Sequence, residues 1–176
     1  MKWRFALKFL LSFAVFLMLW GVADLPTFYR RATLATVQQV SPAVSGWVLD
    51  YDLPGMKEPV VFRWGGTQLP MLIQLPALSM GLVPLLSLIV ATPGLGLKRA
   101  VLALGLGILL YFVLDVIVVL AYPLIMHEPN AVKDTLGVFT GLVAFAVAPL
   151  ALWFALTYPT LRSLWQLGPT SSRRPA

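Results

Sequence analysis

Apolar residues fall along this chain in long unbroken runs, with neither the alternation of a strand nor the single stripe of a soluble amphipathic helix. Two runs lie between Met71 and Leu120, MLIQLPALSMGLVPLLSLIVA and VLALGLGILLYFVLDVIVVL, joined by the turn ATPGLGLKRA. Each is close to the roughly 20 residues an α-helix needs to cross a bilayer core. A third run, Phe9 to Ala23, follows a basic start, and a fourth spans Gly137 to Tyr158. The pattern predicts an all-α integral membrane protein with four transmembrane helices over residues 5–23, 71–91, 100–122 and 137–158. Gly21-Val22-Ala23 also offers a small-residue cleavage site of the signal-peptide kind, but bulky Met18, Leu19 and Trp20 favour retention as a first span.

Residues 24–70 are the one long polar stretch and change period twice. Asp24 and Pro26 read as a helix start, an acidic cap with proline in the first turn. The surface helix that follows puts Phe28, Ala32, Ala35 and Gln39 roughly on one side, and Ser41-Pro42 should end it. GWVLDYD then alternates, Trp47, Leu49 and Tyr51 against Val48, Asp50 and Asp52, and VVFRW resumes extended residues. Gly65-Gly66 is a two-residue hairpin signal leading into TQLPMLI. A small antiparallel sheet of two or three strands is expected here, between the first and second spans and outside the membrane. Within the spans, Pro76, Pro84 and Pro149 each remove a backbone donor and predict bends, while Gly105 and Gly107 offer close approach to another helix.

Charge sets the orientation. Lys2, Arg4, Lys8, Lys98, Arg99, Arg162, Arg173 and Arg174 all lie in the terminal segments or in the turn at 92–99, and no acid accompanies them. By the positive-inside rule both termini and that turn face the cytoplasm. Residues 24–70 and the loop 123–136 are then external, and 159–176 form a cytoplasmic tail. The same placement explains a net charge of +6 without nucleic acid as a partner. A hydrophobic content of 59% and a mean hydropathy of +0.85 fit a lipid-embedded chain. There is no cysteine and one histidine, His127, so thiol chemistry and His-rich metal sites fall away. No catalytic residue, cofactor or metal is expected, and the chain reads as no enzyme.

Asp115 is the one acid inside a span. An acid near the bilayer midplane costs about 2.5 kcal/mol or more when ionised, so it must face the bundle, pair or carry a proton. It is read either as a functional or partner-contact group or as an acid hydrogen-bonded to Tyr111, Gln74 or Thr140. Outside the membrane, Asp50, Asp52, Glu58, Arg63 and His127 are read either as part of a cation or peptide site or as solvated loop charges, and Trp47 and Trp64 suit either ligand stacking or anchoring. Arg30-Arg31 is placed to meet lipid phosphates.

Two families share this layout and lack their chemistry here. Lipoprotein signal peptidases use paired aspartates in Asn-Ala-Asp and Asn-Asp-Arg type motifs, and quinone-reducing disulfide oxidases use cysteine pairs; neither set is present. The hairpin LVPLLSLIVATPGLGLKRAVLALGLGILLYFVLD, with Ala91-Thr92-Pro93-Gly94-Leu95 before Lys98-Arg99, resembles small exosortase-associated membrane proteins of the exosortase H-associated type. The resemblance implies a non-catalytic accessory protein of the bacterial inner membrane. Its partners would be the lipid bilayer and other integral membrane proteins, among them an exosortase-type transpeptidase. The alternative expectation is a small structural subunit of a larger bioenergetic, photosynthetic or transport complex.

Overall fold

The computed structural model describes residues 2–50, 60–70, 79–127 and 130–166. The chain is mostly helical. Helices α1 (Lys2–Val22) and α2 (Leu25–Val44) are followed by strands β1 (Val48–Asp50), β2 (Val61–Trp64) and β3 (Thr67–Pro70). Then come α3 (Leu82–Ala91), α4 (Leu97–Met126), α5 (Ala131–Leu142), a π-helical turn (Val143–Val147) and α6 (Ala148–Gln166). Among the described residues two helices are long and apolar enough to cross a membrane, Trp3–Val22 and Leu97–Met126, and α3 is a shorter apolar helix. Of the segment expected as a second span, residues 71–78, which include Gln74 and Pro76, lie outside the described residues.

Helix α3 is apolar on nearly every side and is accordingly packed against α1, α4 and α6, with Val90 its one exposed residue. Leu85 and Ile89 are fully buried. Its one interior polar group, Ser87, donates from Oγ to the Val83 carbonyl at 2.7 Å. Pro84 sits in the first turn, where backbone N–H groups have no intrahelical acceptor, so the helix loses no hydrogen bond to it. Gly107 of α4 gives the close approach expected of it, since a Cβ there would lie 3.2 Å from Ile89 Cδ1. Gly105 faces open space. Helix α1 packs on α3 yet has no buried residue, leaving Leu7, Leu10, Leu11, Val15 and Met18 outward.

Four expected boundaries move, each at a proline or a cap. Helix α2 runs through Pro42 to Val44, because only its last turn lies beyond the proline and Ser45 donates to the Ser41 carbonyl from both N–H (2.9 Å) and Oγ (3.0 Å). Helix α4 continues past Tyr122-Pro123 to Met126. The expected loop 123–136 shrinks from both ends, since Asn130 Oδ1 accepts the Lys133 N–H at 2.8 Å and starts α5 at Ala131. Helix α6 passes Pro159 and reaches Gln166, so the first part of the expected tail is helical. The turn between α3 and α4 is short, with Gly94 at φ 76°.

At α2 the chain begins from a tight corner. Asp24 stands at the cap position with φ 49°, a left-handed conformation that Asp tolerates better than most residues, and makes no side-chain capping bond. The expected acidic cap is therefore a turn former instead. The buried stripe of α2 is Tyr29, Thr33, Leu34, Val37 and Ser41, about a residue out of phase with the predicted side; Phe28 is exposed.

The three strands form one antiparallel sheet in the order β1-β2-β3. Its register aligns Leu49, Phe62 and Leu69 in one row and Val48, Arg63 and Gln68 in the next. The Leu49 row packs on Leu34 and Val37 of α2 and on Val119 and Tyr122 of α4. Burying Leu49 and Phe62 contributes about 1.5–3 kcal/mol each, which holds down a sheet too small to stand alone. The Tyr122 hydroxyl donates to the Pro70 carbonyl at 3.2 Å and ties the end of β3 to α4.

Candidate functional site

Two places collect the chemistry that the sequence offered. The first is a buried polar node where the sheet-end core gives way to the bundle core. Tyr29 Oη, from α2, donates to Asp115 Oδ2, from α4, at 2.6 Å. Asp115 is fully buried and its Oδ1 has no hydrogen-bond partner among the described residues. Burial first, and then the neighbouring carboxyl of Asp115, raise the Tyr29 pKa well above its ordinary value, which keeps the hydroxyl a donor. Phe112 meets the Tyr29 ring edge-on at 5.8 Å and Trp20 of α1 closes another side at 6.2 Å.

Tyr111, one helical turn before Asp115, serves a different acceptor. Its hydroxyl donates to the Ala144 carbonyl at 3.2 Å. The sequence explains why that carbonyl is free. Within the π turn the Ala148 N–H bonds to Val143, and the next π-type donor, for Ala144, would come from Pro149, which has none. Tyr111 replaces the missing proline donor. The same hydroxyl lies against Gly81, where any Cβ would overlap it and would also come within 2.8 Å of Pro149 Cγ. Neither Tyr111 nor Thr140 is the hydrogen-bond partner of Asp115, and Gln74 lies outside the described residues.

The second place is the sheet end. Trp47 is buried, and Trp64 is half exposed with its ring 5.6 Å from that of Trp47. His127 stands edge-on to both indoles, at 5.1 and 5.6 Å, so this histidine joins the aromatic pair. Its Nδ1 is buried without a hydrogen-bond partner among the described residues. Asp50 and Arg63 form an ion pair of 2.6 Å with both side chains about half exposed, 49% and 56%. Asp52 and Glu58 lie outside the described residues. Between these groups runs an open groove of about 650 Å³, bounded by Gln38 on α2, by Asp50, Arg63 and Gln68 on the sheet, and by Trp64 and the Gly65-Gly66 turn. On the exposed side of α2, Arg31 is open to solvent, while Arg30 is part-buried, its Nε without a partner among the described residues and its pKa lowered by that burial.

Tyr29, Gly81, Ala144 and the pairing of His127 with the two indoles were not singled out as site features by the sequence reading. One signal was present for Tyr29: the four-residue spacing Tyr29, Thr33, Val37, Ser41 marks the buried stripe of α2. At the opposite end of the bundle, Trp153 Nε1 donates to Thr92 Oγ1 at 2.9 Å and fixes α6 to the end of α3. No protein-family model, curated protein or solved structure shows significant similarity to this chain.

Proposed function

We propose that the chain is a non-catalytic accessory protein of a bacterial inner-membrane protein-sorting or export system of the exosortase type. It would cross the bilayer four times, with both termini in the cytoplasm and the α2–sheet module outside. The observation that carries this reading is how the module is held. Its sheet is packed on α2 and α4 through one apolar cluster, and Tyr29 bonds α2 to Asp115 of α4 beneath it, while the half-open groove and Trp64 stay accessible above. A rigid platform with an accessible polar face suits presentation or recognition more than turnover. Asp115 is sealed from substrate, and the exposed acid Asp50 is neutralised by Arg63. Within that class, the order of pieces supports the exosortase-type assignment: one leading helix, a helix–sheet insert, then a hairpin whose second helix opens with Lys98-Arg99.

One observation favours the rival reading, a structural subunit of a larger complex. Beyond the exposed Arg4 and Lys8, the outward side of α1 is apolar from Leu10 to Val22, which suits a neighbouring helix as well as it suits lipid. Mass spectrometry of proteins that copurify with the tagged chain in mild detergent separates the two. Recovery of a polytopic transpeptidase with Cys, Arg and His residues, or of substrates bearing a carboxy-terminal sorting signal, is the expected result. Stoichiometric cytochromes, pigment proteins or transport subunits would replace this reading with the structural one.

A further inference from the structure

We propose that Arg30 and Arg31 hold the phosphate of a phospholipid headgroup in the outer leaflet. Height along the helices comes first. Asp115 follows Arg99 by 16 residues in α4, and Trp20 follows Arg4 by 16 in α1, each about 24 Å of helix at 1.5 Å per residue. The two helices meet at that level through Tyr29, which bonds Asp115 at 2.6 Å and whose ring lies 6.2 Å from that of Trp20. With the basic ends of both helices at the cytoplasmic boundary, this bond stands just inside the outer edge of a hydrocarbon core about 30 Å thick. Arg30 is the next residue of α2. From there α2 climbs beside α4, since Leu34 and Val37 share a cluster with Val119 and Tyr122. The inference rests on the membrane placement of α1 and α4 proposed above and not on the accessory role.

The outward side of the chain changes character at the same height. Val22 at the end of α1, then Leu25 and Phe28 of α2, are exposed and apolar. Arg31, three residues after Phe28, is exposed and charged, and the exposed Gln38 and Gln39 follow. An apolar step beneath a pair of guanidiniums is the complement of a phospholipid, acyl chain below and phosphate above. Free phosphate has no use for that step. Arg30 is part-buried, and its Nε is shielded without a hydrogen-bond partner among the described residues. Consecutive helix residues point about 100° apart, so the two long side chains can close on one group lying between them. Neither is paired with a described carboxylate: Asp50 pairs with Arg63, Asp115 accepts from Tyr29, and Asp24 forms no ion pair. A guanidinium drawn partly out of water is stabilised by an oxyanion that accepts from two of its N–H groups, as a phosphate does.

The test is native mass spectrometry of the full chain in a nonionic detergent that preserves bound lipid. Phosphatidylglycerol and diacylglycerol with the same acyl chains are titrated separately, and glycerol phosphate serves as the soluble probe. Saturable retention of phosphatidylglycerol is expected, its tightest site weakened about tenfold or more in the Arg30→Gln, Arg31→Gln double variant. The Lys98→Gln, Arg99→Gln protein controls for charge alone and should keep that site. Arg31 is exposed, so Arg31→Gln by itself should weaken binding with the melting temperature unchanged, and it decides the matter if the double variant does not fold. Equal retention of diacylglycerol overturns the inference, and so does binding that ignores both arginines or falls as far in the control. Glycerol phosphate bound as tightly as the lipid would overturn it in favour of a soluble phosphate. A chain that captures its sorting enzyme but holds lipid independently of Arg30 and Arg31 sinks only this inference. One that holds lipid through them yet copurifies with electron-transport subunits sinks only the preceding reading.

Discussion

Tyr29 and Asp115 stand 86 positions apart in the chain, yet their side chains share a buried 2.6 Å hydrogen bond. The bond lies between the two apolar clusters of the molecule as each helix passes from one to the other, from Tyr29 to Leu34 along α2 and from Tyr111 to Val119 along α4. It couples the helix that carries the sheet to the helix that runs the length of the bundle. Tyr29→Phe should cost about 1–3 kcal/mol by stripping Asp115 of its donor, and Asp115→Leu a similar amount by orphaning the Tyr29 hydroxyl. The double variant removes both polar ends at once and should cost less than the sum. Thermal melting in detergent across the four proteins gives the coupling, and strict additivity would remove the bond from the account.

Gly81 is expected to be intolerant of any side chain, for a reason that lies on another helix. A Cβ there overlaps the Tyr111 hydroxyl and the Pro149 ring. Gly81→Ala should destabilise by about 1–3 kcal/mol, as overpacking does in a dense interior. Combining it with Tyr111→Phe relieves the overlap with the hydroxyl but leaves the Ala144 carbonyl without its donor. Partial rescue of the melting temperature is therefore the outcome to look for, and a Gly81→Ala protein as stable as the parent would refute the packing argument.

What could be read from the sequence was local, and what could not was relational. The alternation of Trp47, Val48, Leu49 and Asp50 assigned inside and outside correctly because a strand's side-chain period is two and admits no drift. Gly65-Gly66 located the hairpin, and Gly107 a close helix contact, because each is forced by geometry at one residue. Prolines misled. Pro42, Pro123 and Pro159 each sit inside a helix, since the loss of one N–H is small beside the packing and hydrogen bonds of the rest. Pro149 acts instead through the π turn beside it, and its consequence reaches Tyr111, a residue no local rule connects to it. Asp115 was recognisable as needing a partner, but nothing in its neighbourhood pointed to Tyr29.

The hairpin turn makes a sharper prediction than its glycines alone suggest. Gly65 and Gly66 have φ of 53° and 87°, the two consecutive positive values that a two-residue hairpin of this hand requires. Neither position would bring a Cβ into contact with a neighbour, so any cost of substitution is conformational. Gly65→Asn should be nearly neutral, because asparagine accepts the left-handed region. Gly66→Val should cost about 1–3 kcal/mol. Measured on the sheet's hydrogen-exchange protection, the two variants should separate clearly; equal effects would mean that the turn does not set the register.

The Asp50–Arg63 pair should matter little for stability although it is short. Both side chains are about half exposed, and exposed ion pairs are typically worth about 0–1 kcal/mol. Asp50→Asn is expected to leave the melting temperature within a degree or two of the parent. A large loss would mean that the pair holds β1 to β2 and is part of the scaffold of the groove.

Membrane orientation is open to a direct test because the chain has no cysteine, so any thiol introduced is the only one. Gln68→Cys on β3 and Lys133→Cys at the start of α5 should react with a membrane-impermeant maleimide added to intact spheroplasts. Lys98→Cys, exposed at the start of α4, should react only after permeabilisation. The arrangement follows from charge: Lys98 and Arg99 have no acid nearby in sequence, and basic loops stay on the cytoplasmic side. It also makes an internal demand. Helix α4 has Lys98 near its beginning and His127 just past its end, so the third and second thiols, which flank it in the chain, must fall on opposite sides if α4 crosses the bilayer. Labelling of Lys133→Cys and Lys98→Cys from the same side would show that α4 does not cross between them. The four-span topology would fall with it.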